Sequence, residues 1–424
     1  MPQTPLFYGL SHIGQVFSLS WSQKIGPCSV FDSNKFLLKK FQNNFFTNEE
    51  PDLKKLNKVK KYKIYILKNK NLIKEHNIVF FSIDTPLNTH GKPILSKINK
   101  EIKELIKLCE KNTKIIFLSQ VNPGFIKEFI KKNKIIISKK IQIIYMVDTL
   151  KMGEAIDKFL KPKQLIFGTD KKNISFLKEF FKKFRCEKFF FSHTEAETIK
   201  MSINLYLAFS VSFANSLDFF CKKFGFSFSK IINPLRNDDR IGKNSYIMPS
   251  LGFSGGHLER DIYYLKKFSP NPLIKKIFAN FELLNIKRKN ILNSIINKKF
   301  KNKDNIKILI LGGSYKQNSF SMVNSIYSEL FINKKKYDIE IFDYKFDLTN
   351  NKLLKTSIDL KKSLQENSIY IFNYLDSKNK NKLINHLNKN NKKFLININR
   401  EENSFFHKIS NCQNIFDIPV NKSN

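Results

Sequence analysis

Pro5-Leu-Phe-Tyr-Gly9-Leu-Ser-His-Ile-Gly14 carries a short apolar strand into a glycine turn, and helical spacing follows to about Lys24. Ser29–Asp32 is a second strand that ends on an acid. A strand, a glycine-bounded turn, a helix and then a strand with a terminal acid make the opening unit of a dinucleotide-binding α/β domain. Gly9 and Gly14 permit the tight turn. The helix N-terminus at Ser11, His12 and Ile13 offers N–H groups and positive potential to a pyrophosphate. Asp32 is placed to accept from ribose hydroxyls and to repel a 2′-phosphate, which predicts NAD rather than NADP. The middle position of the fingerprint is Ser11 rather than glycine. Its Cβ narrows the pyrophosphate approach, and its hydroxyl is an available donor.

Outward from this unit, apolar strands recur at Lys63–Leu67, Ile78–Ile83, Lys114–Ser119, Ile141–Met146 and Gln164–Phe167. An amphipathic helix over Leu95–Glu110 has Leu95, Ile98, Ile102, Leu105, Ile106 and Cys109 at helical spacing. Alternating strands and helices predict stacked βαβ units on a largely parallel sheet. One long helix is expected from Thr194 to about Phe224, then a loop-rich stretch to Gly256 and more helix from Asp261 to about Ile296. The polar segment Lys298–Asn305 reads as a linker. A second βα region follows, with strands at Ile306–Leu311, Ile339–Phe342, Ile369–Phe372 and Phe394–Ile398. The expected architecture is two Rossmann-like parallel-sheet domains joined by a central helical domain: residues 1–193, 194–297 and 298–424.

The chain has 424 residues and a formal net charge of +39. Such a charge suggests nucleic acid or an anionic membrane. However, Lys, Asn, Ile and Phe are over-used together, all with A/T-rich codons, and the lysines are spread over the whole chain. The charge therefore reads as compositional drift on solvated faces, and no aromatic–basic recognition module is visible. Five scattered cysteines without CxxC or Cys/His ligand spacing predict free thiols and no metal site. No signal peptide and no apolar run long enough for a membrane span are evident, so a cytoplasmic protein is expected.

Drift makes the rare residues informative. Glycine occurs 14 times, near half the usual ~7%. Gly252, Gly255 and Gly256 cluster, and Gly312 and Gly313 form a pair. Only six residues are Arg, and Arg236, Arg240 and Arg260 fall close together. Where Lys has replaced Arg nearly everywhere, a surviving Arg points to a need for the planar fork. Residues 236–261 are thus marked as the most constrained stretch. Lys200 and Asn204, at i and i+4, share a helix face. An ammonium and an amide there suit a developing alkoxide or a positioned water.

In order along nearly the whole chain, the motifs resemble those of the nucleotide-sugar (UDP-glucose/GDP-mannose) dehydrogenase family. Gly9–Gly14 resembles its G-x-G-Y-V-G turn, Thr85-Pro86 its G-T-P segment and Ser119-Gln-Val-Asn-Pro-Gly124 its S-T-V-P-P-G loop. Met152-Gly-Glu-Ala through Pro162 is similar to E-G-x-A-x-x-D-x-x-x-P, and Glu197-Thr-Ile-Lys-Met-Ser-Ile-Asn204 to E-x-x-K-x-x-x-N. Asp238-Asp-Arg-Ile-Gly242 matches D-x-R-I-G, and Gly252-Phe-Ser-Gly-Gly-His-Leu-Glu-Arg-Asp261 is similar to G-F-G-G-S-C-x-P-K-D. Tyr315-Lys316 and Arg400 resemble the F-K and D-x-R of the C-terminal domain.

The resemblance implies an NAD domain, a central dimerisation domain and a C-terminal domain for the nucleotide of a nucleotide sugar. It implies oxidation of a sugar alcohol to a carboxylate with two NAD, through a cysteine thioester, in polysaccharide precursor synthesis. It assigns Lys200, Asn204, His257, Asp261 and Asp148 to catalysis. Gly9, Ser11, His12, Ile13, Gly14, Asp32, Thr85 and Gln120 would hold the cofactor. Arg240, Tyr246, Ser250, Phe253, Gly255, Lys316 and Arg400 would hold the substrate, and a homodimer through the central helices is implied. The departures are His257 at the nucleophilic cysteine, Met152 and Asp148 where the family has Glu, Gln120 for Thr, and Val323 for an Arg. Histidine cannot form a thioester. Two expectations stay open: an oxidoreductase that stops at a two-electron step, with His257 taking a proton, or a binding homologue without turnover.

Overall fold

A computed structural model of the chain describes residues 4–47, 50, 52–88, 92–254, 256–301, 304–314, 326–327, 330–331, 336–344, 355–390, 392–399, 409 and 415–417. The chain divides into two compact units, residues 1–204 and 205–424.

Among the described residues, the first unit is built on eight strands: β1 (Leu6–Tyr8), β2 (Cys28–Phe31), β3 (Ile64–Ile66), β4 (Ile78–Phe81), β5 (Lys114–Phe117), β6 (Gln142–Met146), β7 (Gln164–Gly168) and β8 (Glu187–Phe191). Their spatial order is β3-β2-β1-β4-β5-β6-β7-β8. The first six give the doubly wound order, with its switch point between β1 and β4. All pairs are parallel except β6 with β7, which run antiparallel. β1, β2 and β4 are buried throughout, as expected of strands covered on both faces. One core packs Phe7, Trp21, Phe80 and Phe181 against α1 (His12–Lys24), and the opposite core packs Tyr8, Phe81 and Phe117 against α2 (Leu95–Leu108). The central turn Gly9 is thereby fixed from both sides. α3 (Phe125–Lys132) and α4 (Ala155–Leu160) complete the elements that border the site.

α5 (His193–Lys223) is the long helix, with bounds one residue from those expected. Its part in the second unit is apolar on two faces with different fates. Ala208, Val211, Ala214 and Cys221 are buried, whereas Tyr206, Phe209, Phe213 and Phe220, with Phe224 just past the helix end, are exposed along one stripe. The expected single helical run after Gly256 is instead three helices: α6 (His257–Phe268), α7 (Pro272–Lys289) and α8 (Ile291–Lys299). Pro270 and Pro272 end the first run, because proline cannot donate within a helix and disfavours helix in the preceding residue. α6 starts at His257, one turn before the expected Asp261.

The second sheet comprises β9 (Ile306–Leu311), β10 (Tyr337–Phe342), β11 (Lys355–Ser357), β12 (Ile369–Phe372), β13 (Phe394–Asn397) and β14 (Ile415–Asp417). Its order is β11-β10-β9-β12-β13-β14, the same doubly wound plan, with parallel pairs throughout. The edge strands β8, β11 and β14 escaped the sequence reading; β11 and β14 are only three residues long, too short to show alternation. The α/β architecture of two Rossmann-like sheets and a helical segment stands as expected.

Candidate functional site

The turn after β1 shows why its two glycines are there. Gly9 has φ of +107°, and a Cβ on it would stand 2.5 Å from Ile83 Cγ1. A Cβ on Gly14 would stand 1.9 Å from Gly9 O, so only glycine lets α1 approach the turn this closely. Ser11 Oγ donates to Ser82 O at 2.8 Å and accepts from Asp84 N at 3.0 Å. Its proton is committed to the end of β4 rather than to a phosphate. Ile13 is buried behind the turn.

Asp32 sits just past β2, 7% exposed. Its carboxylate accepts from Leu10 N at 2.6 Å and from Asn34 N at 2.7 Å. Burial lifts this carboxyl above the usual carboxylate range, and the two N–H bonds pull it back. Each oxygen accepts one of these N–H bonds and has two lone pairs, so acceptor capacity remains for ribose hydroxyls. A close-packed glycine turn, a helix start beside it and a buried aspartate one strand away fit a dinucleotide without a 2′-phosphate.

The loops beyond β4 and β5 are stitched together. Thr85 Oγ1 donates to Gln120 O at 2.5 Å, and Ser119 Oγ donates to Ile83 O at 2.5 Å. Thr85 and Gln120 are therefore held together in the loops that follow β4 and β5. Glu197, fully buried, accepts from Gly124 N at 2.6 Å and Ile126 N at 2.9 Å, capping α3 from α5. Burial pushes its carboxyl up to about 7 against the pull of those two bonds. One turn along α5, Lys200 is 8% exposed and donates to Asp148 O at 2.6 Å, with Asp148 Oδ2 at 3.8 Å. Asn204 follows, 7% exposed. Lys200 and Asp148 are thus brought together. Asp148 also accepts from Leu150 N at 2.8 Å, which braces the loop towards Met152.

Glu50 was not expected. It is 3% exposed and accepts from Gly153 N at 2.8 Å and Ala155 N at 3.0 Å, at the start of α4. His12 Nε2 lies 3.5 Å from the same carboxylate. One buried acid therefore ties the dinucleotide turn to the loop of the Met152-Gly-Glu motif. A Glu pair before a proline carries no signal that would have singled out Glu50.

In the second unit, the loop before α6 is held by α5 and α7. Ser250 N donates to Asn215 Oδ1 at 2.7 Å, and Phe253 N to Asn285 Oδ1 at 2.7 Å. Arg288, 2% exposed, donates to Asn215 Oδ1 at 3.0 Å and to Asp218 Oδ2 at 2.6 Å. Its rarity in this lysine-rich chain was the signal that would have found it. Gly252 has φ of +104°, and a Cβ on it would stand 2.4 Å from Asn285 Oδ1. Ser250 and Phe253 are buried in this loop, whereas Tyr246 is half exposed. Arg240 is exposed and makes a two-pronged pair with Asp238, at 2.9 and 2.7 Å. His257 opens α6, and its Nδ1 lies 3.0 Å from the Arg260 guanidinium. Asp261, one turn on, is 1% exposed. Gly255, Lys316, Val323 and Arg400 lie outside the described residues.

The fold and the first crevice define a doubly wound α/β protein built to hold NAD. Residues 6–185 match the NAD binding domain of the UDP-glucose/GDP-mannose dehydrogenase family, and residues 194–285 match its central domain. The chain belongs to that family, and its cofactor is NAD. It is 31% identical over 289 residues to a UDP-glucose 6-dehydrogenase of Campylobacter jejuni, covering 65% of this chain and 68% of that one. It is 26% identical over 212 residues to one from Bacillus subtilis, spanning 49% of this chain and 47% of the relative. Among solved structures, a UDP-glucose dehydrogenase from Pyrobaculum islandicum superposes with a TM-score of 0.81 at 16% identity, covering 98% of this chain and 97% of that one. A UDP-N-acetyl-mannosamine dehydrogenase from Staphylococcus aureus superposes with a TM-score of 0.75 at 17% identity, with 98% of each chain covered. At these identities the structural likeness is one of fold. Among the described residues, no helix is long and apolar enough to cross a membrane.

Proposed function

We propose that this protein oxidises the CH–OH group of a nucleotide sugar, of the UDP-hexose class, with NAD as hydride acceptor, and supplies polysaccharide precursors. The observation that carries this reading is Lys200. A buried lysine on a helix, with Asn204 four residues on and Asp148 against it, is costly to keep unless its charge is used. NAD, when bound, would supply the hydride acceptor. Lys200 and Asn204 hold the oxygen as it gains negative charge, and Asp261 positions water. Arg240, Tyr246, Ser250, Phe253, Gly255, Lys316 and Arg400 are the proposed substrate contacts. Residues 1–193 would serve the cofactor, 194–297 dimerisation and 298–424 the nucleotide.

The exposed stripe Tyr206, Phe209, Phe213, Phe220 and Phe224 supports the homodimer, because a contiguous apolar face is covered in most soluble proteins. A monomer in sedimentation at micromolar concentration would count against it.

Without a cysteine at position 257 the aldehyde is not captured covalently. The expected products are therefore a trappable aldehyde and nearer one NADH than two per sugar. The test is NADH formation against a panel of UDP- and GDP-sugars, with product analysis at limiting sugar. Two NADH per sugar with only uronic acid would refute the two-electron reading. Tight binding of NAD and sugar without any NADH would instead favour a binding homologue.

A further inference from the structure

Position 257, where the family carries its nucleophile, is occupied by an imidazole whose neighbour fixes what it does. His257 and Arg260 stand at i and i+3 on the first turn of α6, so their side chains share a face. A guanidinium Nη of Arg260 lies 3.0 Å from His257 Nδ1. Arginine has only donors and does not lose its proton in proteins. A contact of this length to Nδ1 therefore requires a lone pair on Nδ1. The ring proton must then reside on Nε2.

We propose that Arg260 is a positioning residue that holds His257 in its neutral Nε2–H form, so that His257 acts as a hydrogen-bond donor to the substrate oxygen and not as the base. The consequence for catalysis rests on the dehydrogenase reading above; the tautomer does not.

The surroundings act in the same direction. His257 is the first residue of a twelve-residue helix, where the positive end of the dipole disfavours an imidazolium. Arg260 is 3% exposed, so its charge is weakly screened. The opposing charge is Asp261, four residues along the same helix and 1% exposed. It favours protonation of His257, yet a proton on Nδ1 would set two donors against each other across the Arg260 contact. The acids of α6 and α7 other than Asp261 are each paired with a lysine. Glu259 accepts from Lys289 at 2.8 Å, and Glu282 accepts from Lys266.

The chemistry follows from the tautomer. Oxidation of a CH–OH group sends the hydride, with its electron pair, to NAD to give NADH, and releases the hydroxyl proton to water. An Nε2–H donor stabilises the oxygen through that change and takes neither particle. It also polarises the resulting carbonyl without forming a bond to it, which agrees with release of the aldehyde.

The test is nitrogen-15 NMR of the full-length protein with labelled histidine, with the His257 signals assigned by their loss in His257→Gln. We expect an acceptor-type Nδ1 and a protonated Nε2 at neutral pH. In Arg260→Met the two neutral tautomers mix. Arg260→Lys, which restores a donor, returns the Nε2–H form. A wild-type His257 that is Nδ1-protonated, or an imidazolium at neutral pH, overturns the proposal even if both variants fail to fold. Activity lost with the Nε2–H form intact would count against the dehydrogenase reading and leave the tautomer standing.

Discussion

The turn at Gly9 and the turn at Gly312 follow one backbone plan and end on different partners. Gly9 N bonds Phe31 O at 2.8 Å, and Gly312 N bonds Phe342 O at 2.9 Å. Both glycines have positive φ, +107° and +88°. In both, an aspartate just past the neighbouring strand accepts a backbone N–H from the turn: Asp32 from Leu10 at 2.6 Å, Asp343 from Gly313 at 3.0 Å. The difference is the next ligand. Asp32 takes a second backbone N–H, from Asn34. Asp343 takes the hydroxyl of Tyr374 at 2.5 Å, and burial drives that phenol's proton affinity upward. In the first turn the acid is held from behind; in the second a side chain of the same domain supplies the hydroxyl that a ribose would supply. Two doubly wound sheets of the same order thus need not bind the same ligand, and the difference lies in what reaches the aspartate.

The comparison breaks most sharply at the glycines. Gly14→Ala forces a methyl to 1.9 Å from Gly9 O, which should cost about 3 kcal/mol and weaken NAD binding on the order of 100-fold. Gly312→Ala meets the Tyr374 ring at 2.8 Å and should lower stability while leaving NAD affinity unchanged. Calorimetric titration with NAD and thermal unfolding of both variants separate the two effects. If Gly312→Ala also abolished NAD binding, the division of labour between the turns would be wrong.

A second test uses pH. Glu197 braces the first crevice with its carboxyl raised from 4.5 to about 7. Between those values the folded state holds a proton that the unfolded chain has lost. Stability from this group is therefore fully present below the unfolded value and falls as pH rises through the folded one, by on the order of 3 kcal/mol. Glu197→Gln should flatten the difference in melting temperature between about pH 5 and 8. An unchanged slope would show that the carboxylate is ionised throughout.

Smaller effects sharpen the same contrast. Asp32→Ala should weaken NAD about tenfold and narrow its preference over NADP. Equal affinity for both dinucleotides in the native protein would remove Asp32 from that role. Tyr374→Phe should cost about 1–2 kcal/mol, through loss of a hydrogen bond to a carboxylate, with NAD affinity unaltered. A gain in dinucleotide binding by this variant would show that the tyrosine alone closes the second turn.

The sequence by itself determined the inner strands of the two sheets, the glycine turns and the order of motifs. Each of these is local: a strand of β-branched and aromatic residues, a glycine at positive φ, or an acid at a strand end is written in consecutive residues. It also marked His257 as the position to test, because a histidine stands there where the resembled motif has a cysteine. It did not reveal Glu50, Glu197 as a cap, or Arg288. These act across separations of 103, 73 and 73 residues, to Gly153, Gly124 and Asn215. Nor did it show which nitrogen of His257 is engaged, or which apolar face of α5 is covered, since a row of phenylalanines has the same helical spacing whether buried or exposed. Those matters were decided only by tertiary structure. A buried carboxylate, guanidinium or imidazole takes its role from the donors and acceptors brought within about 3 Å of it, and the chain folding decides which those are.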